Sequence, residues 1–309
     1  MSHGVQKLAG IGRNTTDLDR ACAFYRDALG FRSDPTDPAP PAWMRLPGVE
    51  ITPARRARLS LGAQRIELTE FPDAAAYPGD GTACDLLFQH CAIVVDDMRV
   101  AFDRVVRHGA VPITRGGPQV LPPCTGRVTA FKFRDPDGHP LELIGFPAGT
   151  GDPAWSTPHG GGPTLGIDHS AISVGDSTRS VDFYALLGLR VVARGVNRGI
   201  EQQRLDDLAE VEVDVVALQP AAARTPHLEL LGYRRPRGRA APDMPPCATP
   251  ADRLTWQTSA IDVLLDALDD AGHAGSLVAS GFVDGMACAL LRDPDGHLLV
   301  LEESADPPA

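Results

Sequence analysis

Two histidines and two glutamates stand at matched places in this 309-residue chain. Phe88-Gln89-His90-Cys91-Ala92 opens a segment that closes on His139-Pro140-Leu141-Glu142-Leu143. Gly166-Ile167-Asp168-His169-Ser170-Ala171 opens a second, which closes on His227-Leu228-Glu229-Leu230. Each segment therefore has a His in its first strand and a Glu in its last. Two neutral imidazoles and two carboxylates can hold one divalent cation and leave two adjacent octahedral positions open. His90, Glu142, His169 and Glu229 are the expected metal ligands. Fe(II), Mn(II), Ni(II), Co(II) and Zn(II) all suit such a set, and no cysteine is needed. The open positions fit two neighbouring oxygens of a small substrate, polarised by the cation as a Lewis acid. A proton must then move, and Glu142 or Glu229 is the natural base.

The elements that must place these four residues come in repeats. Asp17-Leu18-Asp19-Arg20-(x)3-Phe24-Tyr25 returns as Asp176-Ser177-Thr178-Arg179-(x)3-Phe183-Tyr184. Arg134-Asp135-Pro136-Asp137-Gly138-His139 returns as Arg292-Asp293-Pro294-Asp295-Gly296-His297. The two pairs share nearly one offset, so the chain is duplicated. Each copy splits again, because a strand followed by a helix starts near Leu8, Gln89, Ile167 and Leu254. Strand–helix–strand–strand–strand, four times over, predicts an α+β fold of four βαβββ modules forming two curled mixed-sheet half-barrel pairs. The modules span 8–71, 88–147, 165–233 and 253–303. They group as an N-terminal domain (1–147), a linker rich in Gly and Pro (148–164) and a C-terminal domain (165–309).

Asp17 should cap the first helix and Gly30 end it. The Asp-Pro-Asp-Gly strings are hairpin turns, and they lack the acidic spacing of a calcium loop. His139 and His297 follow those turns and are expected to serve the hairpins. Tyr25 and Tyr184 are expected to pack helix on sheet. Residues 35–53 and 234–250 read as proline-rich connections, and the stretch after Gly188 as a polar loop. Arg234, Arg235, Arg237 and Arg239 read as a solvated face. On the first strand of module two, His90, Ala92 and Val94 share one side, and Cys91 and Ile93 the other.

The bulk numbers exclude some functions. A net charge of −11 is wrong for a nucleic-acid surface. No apolar run of 18 residues exists to span a membrane. The start, Met1–Leu8, has no signal-peptide pattern, and the six cysteines have no C-x-x-C. A reduced, cytoplasmic protein acting on a small molecule is the expectation, with a homodimer left open.

These strings together resemble the vicinal oxygen chelate superfamily, which includes glyoxalase I, methylmalonyl-CoA epimerase, type I extradiol dioxygenases, and bleomycin and fosfomycin resistance proteins. The resemblance covers nearly the whole chain. It implies a metal between paired modules, bound by the His of each first strand and the Glu of each last. Modules two and three match at His90, Glu142, His169 and Glu229. Module one has Gly10 at the His position and Glu67 at the Glu position. Module four has Arg253 near the His position and Val300 in place of Glu. The ligand pairs that dioxygenases of the family draw from modules three and four, or one and four, are therefore incomplete here.

Pairing module two with three completes the set, whereas pairing one with two strands half of it. The first pairing is preferred, and leaves Glu67 and Arg253 in a second cleft, where a bidentate guanidinium–carboxylate pair could replace a cation. The leading functional expectation is a glyoxalase-like lyase or isomerase. A non-haem Fe(II) ring-cleaving dioxygenase using two His and one Glu is the alternative. A metal-free binding or resistance protein, with Trp43, Phe88 or Trp256 lining its cleft, is a third. Either histidine alone reads better as a core or surface residue; their shared place beside a matching Glu favours a metal. Glu67 alone reads as the polar side of a strand.

Overall fold

A computed structural model of the chain describes residues 4–35, 39–156 and 162–303. Parts of the expected linker (157–161) and of the first proline-rich connection (36–38), and both chain ends, lie outside the described residues. Module one comprises β1 (Lys7–Thr15), α1 (Leu18–Asp27), β2 (Arg32–Asp34), β3 (Arg55–Leu61) and β4 (Gln64–Glu70). Module two comprises β5 (Gln89–Val95), α2 (Met98–Arg107), β6 (Val111–Pro112), β7 (Gln119–Val120), β8 (Thr129–Arg134) and β9 (Pro140–Gly145). Module three has β10 (Thr164–Ser173), α3 (Ser177–Leu186), β11 (Arg190–Arg198), α4 (Ile200–Asp206), β12 (Glu212–Gln219) and β13 (His227–Arg235). Module four has β14 (Arg253–Thr258), α5 (Ile261–Asp270), β15 (Leu277–Val283), β16 (Met286–Arg292) and β17 (Leu298–Glu303).

The modules pair two with three and one with four. One mixed sheet runs β11-β12-β13-β10-β5-β9-β8-β6, with β7 on β8. The other runs β15-β16-β17-β14-β1-β4-β3-β2. Neither closes into a barrel. Each sequence repeat thus gives one module to each sheet. The antiparallel pairs β5–β10 and β1–β14 join the modules at the sheet centres. Strand alternation then sorts the side chains. Cys91, Ile93 and Val95 enter the main core with the four long helices, whereas Ala92 and Val94 line the opposite face.

The two repeated strings turn out to be halves of one lock. Asp17 and Asp176 cap α1 and α3 through backbone N–H groups of Arg20 and of Thr178 and Arg179. The same helices then grip the Asp-Pro-Asp-Gly turn of the following module. Tyr25 OH donates to Asp135 (3.1 Å) and Tyr184 OH to Asp293 (3.0 Å). Arg20 and Arg179 pair with Asp137 and Asp295. Within each turn Asp135 and Asp293 accept from the backbone of the residues two and four further on. The tyrosines therefore do more than pack. His139 and His297 also reach beyond their hairpins, to the Asn14 and Ser173 carbonyls of other modules at 2.7 and 3.0 Å.

Arg13 extends the first lock. It is fully buried, donates to Tyr25 OH and to the Pro140 carbonyl at 2.8 Å each, and lies 3.5 Å from Asp252. His139 Nδ1 sits 2.9 Å from the same Asp252. Burial pushes the imidazole pKa down, but Asp252 and Asp135 outweigh it and raise it to about 9. A group held above its unfolded value stabilises the fold fully below that value and loses the effect as pH rises through the folded one. Stability should therefore fall by on the order of 2–3 kcal/mol between about pH 6.5 and 9. Urea melts across that range check this, and His139→Gln should flatten the slope.

Two elements depart from expectation. The supposed polar loop after Gly188 is β11, an edge strand exposed along almost its whole length. With neither face buried, no apolar alternation marks it. The arginine cluster is not simply solvated either. Arg234 bridges Glu212 and Asp214, and Arg239 binds Asp85 and Asp80, fastening the second proline-rich connection to the segment that joins modules one and two. No helix among the described residues is long and apolar enough to cross a membrane.

Candidate metal centre

Register across the first sheet assembles the site. His90 on β5 lies opposite Ala171 on β10, and His169 on β10 opposite Ala92 on β5. Parallel pairing then sets Glu142 on β9 beside Ala92, and Glu229 on β13 beside Ala171. The result is a pseudo-twofold pattern about the sheet centre. Two alanines, both without exposed surface, leave room in the middle for the longer side chains to converge.

They do converge. His90 Nε2 is 2.7 Å from Glu142 Oε2, and His169 Nε2 is 3.5 Å from Glu229 Oε2. The two imidazole centroids are 5.7 Å apart. One donor atom each from His90, Glu142 and His169 falls within 4.8 Å of the others. Glu229 stands just outside this trio, joined through His169. Ligands cis to one another on an ion at ~2.1 Å lie ~3 Å apart, so the observed contacts bracket that spacing.

Hydrogen bonding does not account for these contacts. His90 Nδ1, His90 Nε2 and His169 Nε2 are buried with no hydrogen-bond partner. The 2.7 Å approach of His90 Nε2 to Glu142 Oε2 is a short contact between a ring nitrogen and a carboxylate. Buried donors left unsatisfied are costly. Such a donor set fits a cation.

Electrostatics point the same way. Burial lowers the His90 pKa more than Glu142 raises it, so this imidazole is neutral, as a metal ligand must be. At His169 burial is overcome by Glu229, Asp168 and Glu142, which push it up to about 9. Burial raises Glu229, yet His169 and His227 bring it down to about 2. Glu142 is also lowered, its burial outweighed by His90, Lys132 and His169. Without an ion, a proton on His169 is what the carboxylates hold.

Sequence reasoning missed several neighbours. Asp168 accepts from His169 Nδ1–H at 3.0 Å and from Trp155 Nε1–H at 3.2 Å. A break in register between Ile167 and His169 lets Asp168 reach the same side as the residue after it. His227 lies beside His169 across β10–β13 and 3.5 Å from Glu229. Its signal was present, since His227-Leu228-Glu229 puts both polar residues on one strand face. Asp168, His169 and His227 also group within 4.8 Å. Lys132 on β8 faces Glu142 across β8–β9. Asp168, His227 and Lys132 line, with the four expected ligands, a cavity of about 470 Å³ whose apolar lining includes Leu121, Ile144, Phe146 and Val215.

The second sheet repeats the layout without the chemistry. Glu67, Gly12, Arg253 and Leu298 form one row, and Gly10, Thr255 and Val300 the next. Arg253 thus occupies the place of His169. The bidentate pair expected with Glu67 does not form. Arg253 lies over Gly12, where any Cβ would strike it, and stacks on Trp43 at 4.7 Å. It spends its donors on Asn14 (2.8 Å) and Thr69 (2.9 Å), leaving Glu67 3.7 Å away. Of the aromatic residues considered as cleft lining, Trp43 borders this second cleft and Phe88 packs edge-on against His90. Trp256 is core.

Comparison with known proteins agrees with this architecture. The model of the Glyoxalase/Bleomycin resistance protein/Dioxygenase superfamily matches residues 7–143 and 166–301, and the chain belongs to that superfamily. Glyoxalase I from Zea mays is 20% identical over 97% of this chain and 93% of its own, with a TM-score of 0.64. A candidate dioxygenase from Bacillus subtilis subsp. subtilis str. 168 is 16% identical over 99% of this chain and 87% of its own, with a TM-score of 0.58. At these identities the likeness is one of fold. No curated protein matches the chain.

Proposed function

We propose that the protein is a divalent-metal-dependent enzyme that moves a proton on a small substrate chelated through two neighbouring oxygens. His90, Glu142, His169 and Glu229 would hold the ion. The observation that carries this reading is the meeting of two buried imidazole nitrogens without hydrogen-bond partners, His90 Nε2 and His169 Nε2, with two carboxylates at ligand spacing. The bound cation supplies Lewis acidity, lowering the cost of removing a proton next to a chelated carbonyl. The chain's residues do the rest. Glu142 belongs to the tight trio and anchors. Glu229 is the looser carboxylate and has His227 beside it, so Glu229 is the base and His227 a neighbour able to relay its proton.

Asp168 orients His169 by accepting its far N–H, the arrangement that fixes an imidazole for metal binding. Asp168→Ala should weaken metal affinity ~10–100-fold, read by competition with a chelator of known affinity. The compact His90–Glu142–His169 trio also suits a ring-cleaving dioxygenase, which needs two His and one carboxylate. One experiment separates the two reactions. Metal-loaded protein is offered a hemithioacetal of a 2-oxoaldehyde in D2O, and catechols or hydroquinones under an oxygen electrode. The proposed reading expects solvent deuterium in the product and no oxygen uptake. Oxygen uptake with ring cleavage contradicts it.

A further inference from the structure

Helix α4 is the one α-helix inserted between the second and third strands of a module among the described residues. It crosses to module two. Leu205 packs with Leu121 and Ala130, and its carbonyl accepts from Thr114 Oγ1 at 3.0 Å. The helix ends on Asp206, whose side chain is without exposed surface. Asp206 accepts from Lys132 Nζ at 2.7 Å, Gln202 Nε2 at 2.8 Å and Tyr233 OH at 3.0 Å. Lys132 is itself nearly buried, yet it borders the cleft beside Glu142.

A buried ion pair is a poor stabiliser, since desolvation cancels most of its attraction and an apolar pair of equal volume does as well. The pair needs another reason to exist. An ammonium has three donors, and Asp206 takes one. Asp206 shares its charge among three donors, which leaves Lys132 with attraction to spend on a ligand.

We propose that Lys132 is a specificity-determining residue that selects a chelating substrate bearing an additional anionic oxygen, such as the carboxylate of a 2-oxo or 2-hydroxy acid. This rests on the metal-centre reading above. Asp206 and α4 hold the ammonium in place at the cleft wall, opposite Glu142, where an anionic group of a bound ligand could meet it.

Oxalate, a small bidentate dianion, is the probe. Wild type, Lys132→Met and Asp206→Asn are loaded with Mn(II), assayed for bound metal, and titrated with oxalate by calorimetry. The expected result is equal metal content in all three, at least a ten-fold loss of oxalate affinity in Lys132→Met, and affinity in Asp206→Asn equal to or tighter than wild type. Oxalate affinity unchanged in Lys132→Met overturns the proposal. An equal loss in both variants overturns it too, because it assigns the effect to the seating of α4. Should Lys132→Met not fold, Lys132→Gln is read by the same ten-fold criterion. A wild type without bound metal fails earlier, at the metal assay, and rejects the centre rather than the role of Lys132 alone.

Discussion

Converting His90 and His169 together to Ala should lower bound divalent metal from about one ion per chain to less than ~0.1. These residues supply the unpartnered nitrogens at the cleft floor. Catalysis should fall with the metal. A Lewis acid contributes several kcal/mol to a transition state, and at about 1.4 kcal/mol per factor of ten this is a loss of roughly a thousandfold. Folding gives an independent readout. An ion that binds the native state alone at ~1,000 times its Kd stabilises by about 4 kcal/mol. Wild type should therefore melt higher with added metal, and the double variant should show no shift. Equal shifts in both proteins contradict the assignment.

The second large effect divides labour between the glutamates. Glu229→Gln should retain metal, held by the compact trio, and reduce turnover ~10²–10⁴-fold, the usual contribution of a general base. Glu142→Gln should lose the metal, because Glu142 makes the closest approach to His90. Metal analysis and steady-state rates on the two variants check this. Turnover of Glu229→Gln within about tenfold of wild type, against that general-base expectation, removes Glu229 from the role.

Much of the frame is legible in the residues because repetition supplies it. The paired strings with Tyr25 and Asp135, Tyr184 and Asp293, recur together because each is one side of a contact between sheets. Counting the ligands that the family resemblance implies favours pairing modules two and three, and the central β5–β10 register bears it out. The alignment of Gly10, Glu67, Arg253 and Val300 with the four site positions also holds in the second sheet.

The parts that stayed hidden have physical reasons. A bulge at Asp168 leaves no pattern in residue types, since its effect is to break the alternation that a reader relies on. Helix α4 spans seven residues, too few for helical periodicity to show, and its value lies in contacts to a distant module. Arg253 stands beside Glu67 as its alignment predicts, at 3.7 Å, but its hydrogen bonds go to other residues. Asn14 and Thr69 reach it only through the sheet register, and neighbours of that kind are invisible along the chain.

Anomalous diffraction from crystals of metal-loaded protein, recorded at the absorption edge of the bound element, tests the central claim most directly. The predicted map has a single strong peak, between His90 Nε2, His169 Nε2 and the carboxylates of Glu142 and Glu229. A peak instead among Asp168, His169 Nδ1 and His227, or beside Arg253 in the second cleft, or none in fully loaded protein, would contradict it.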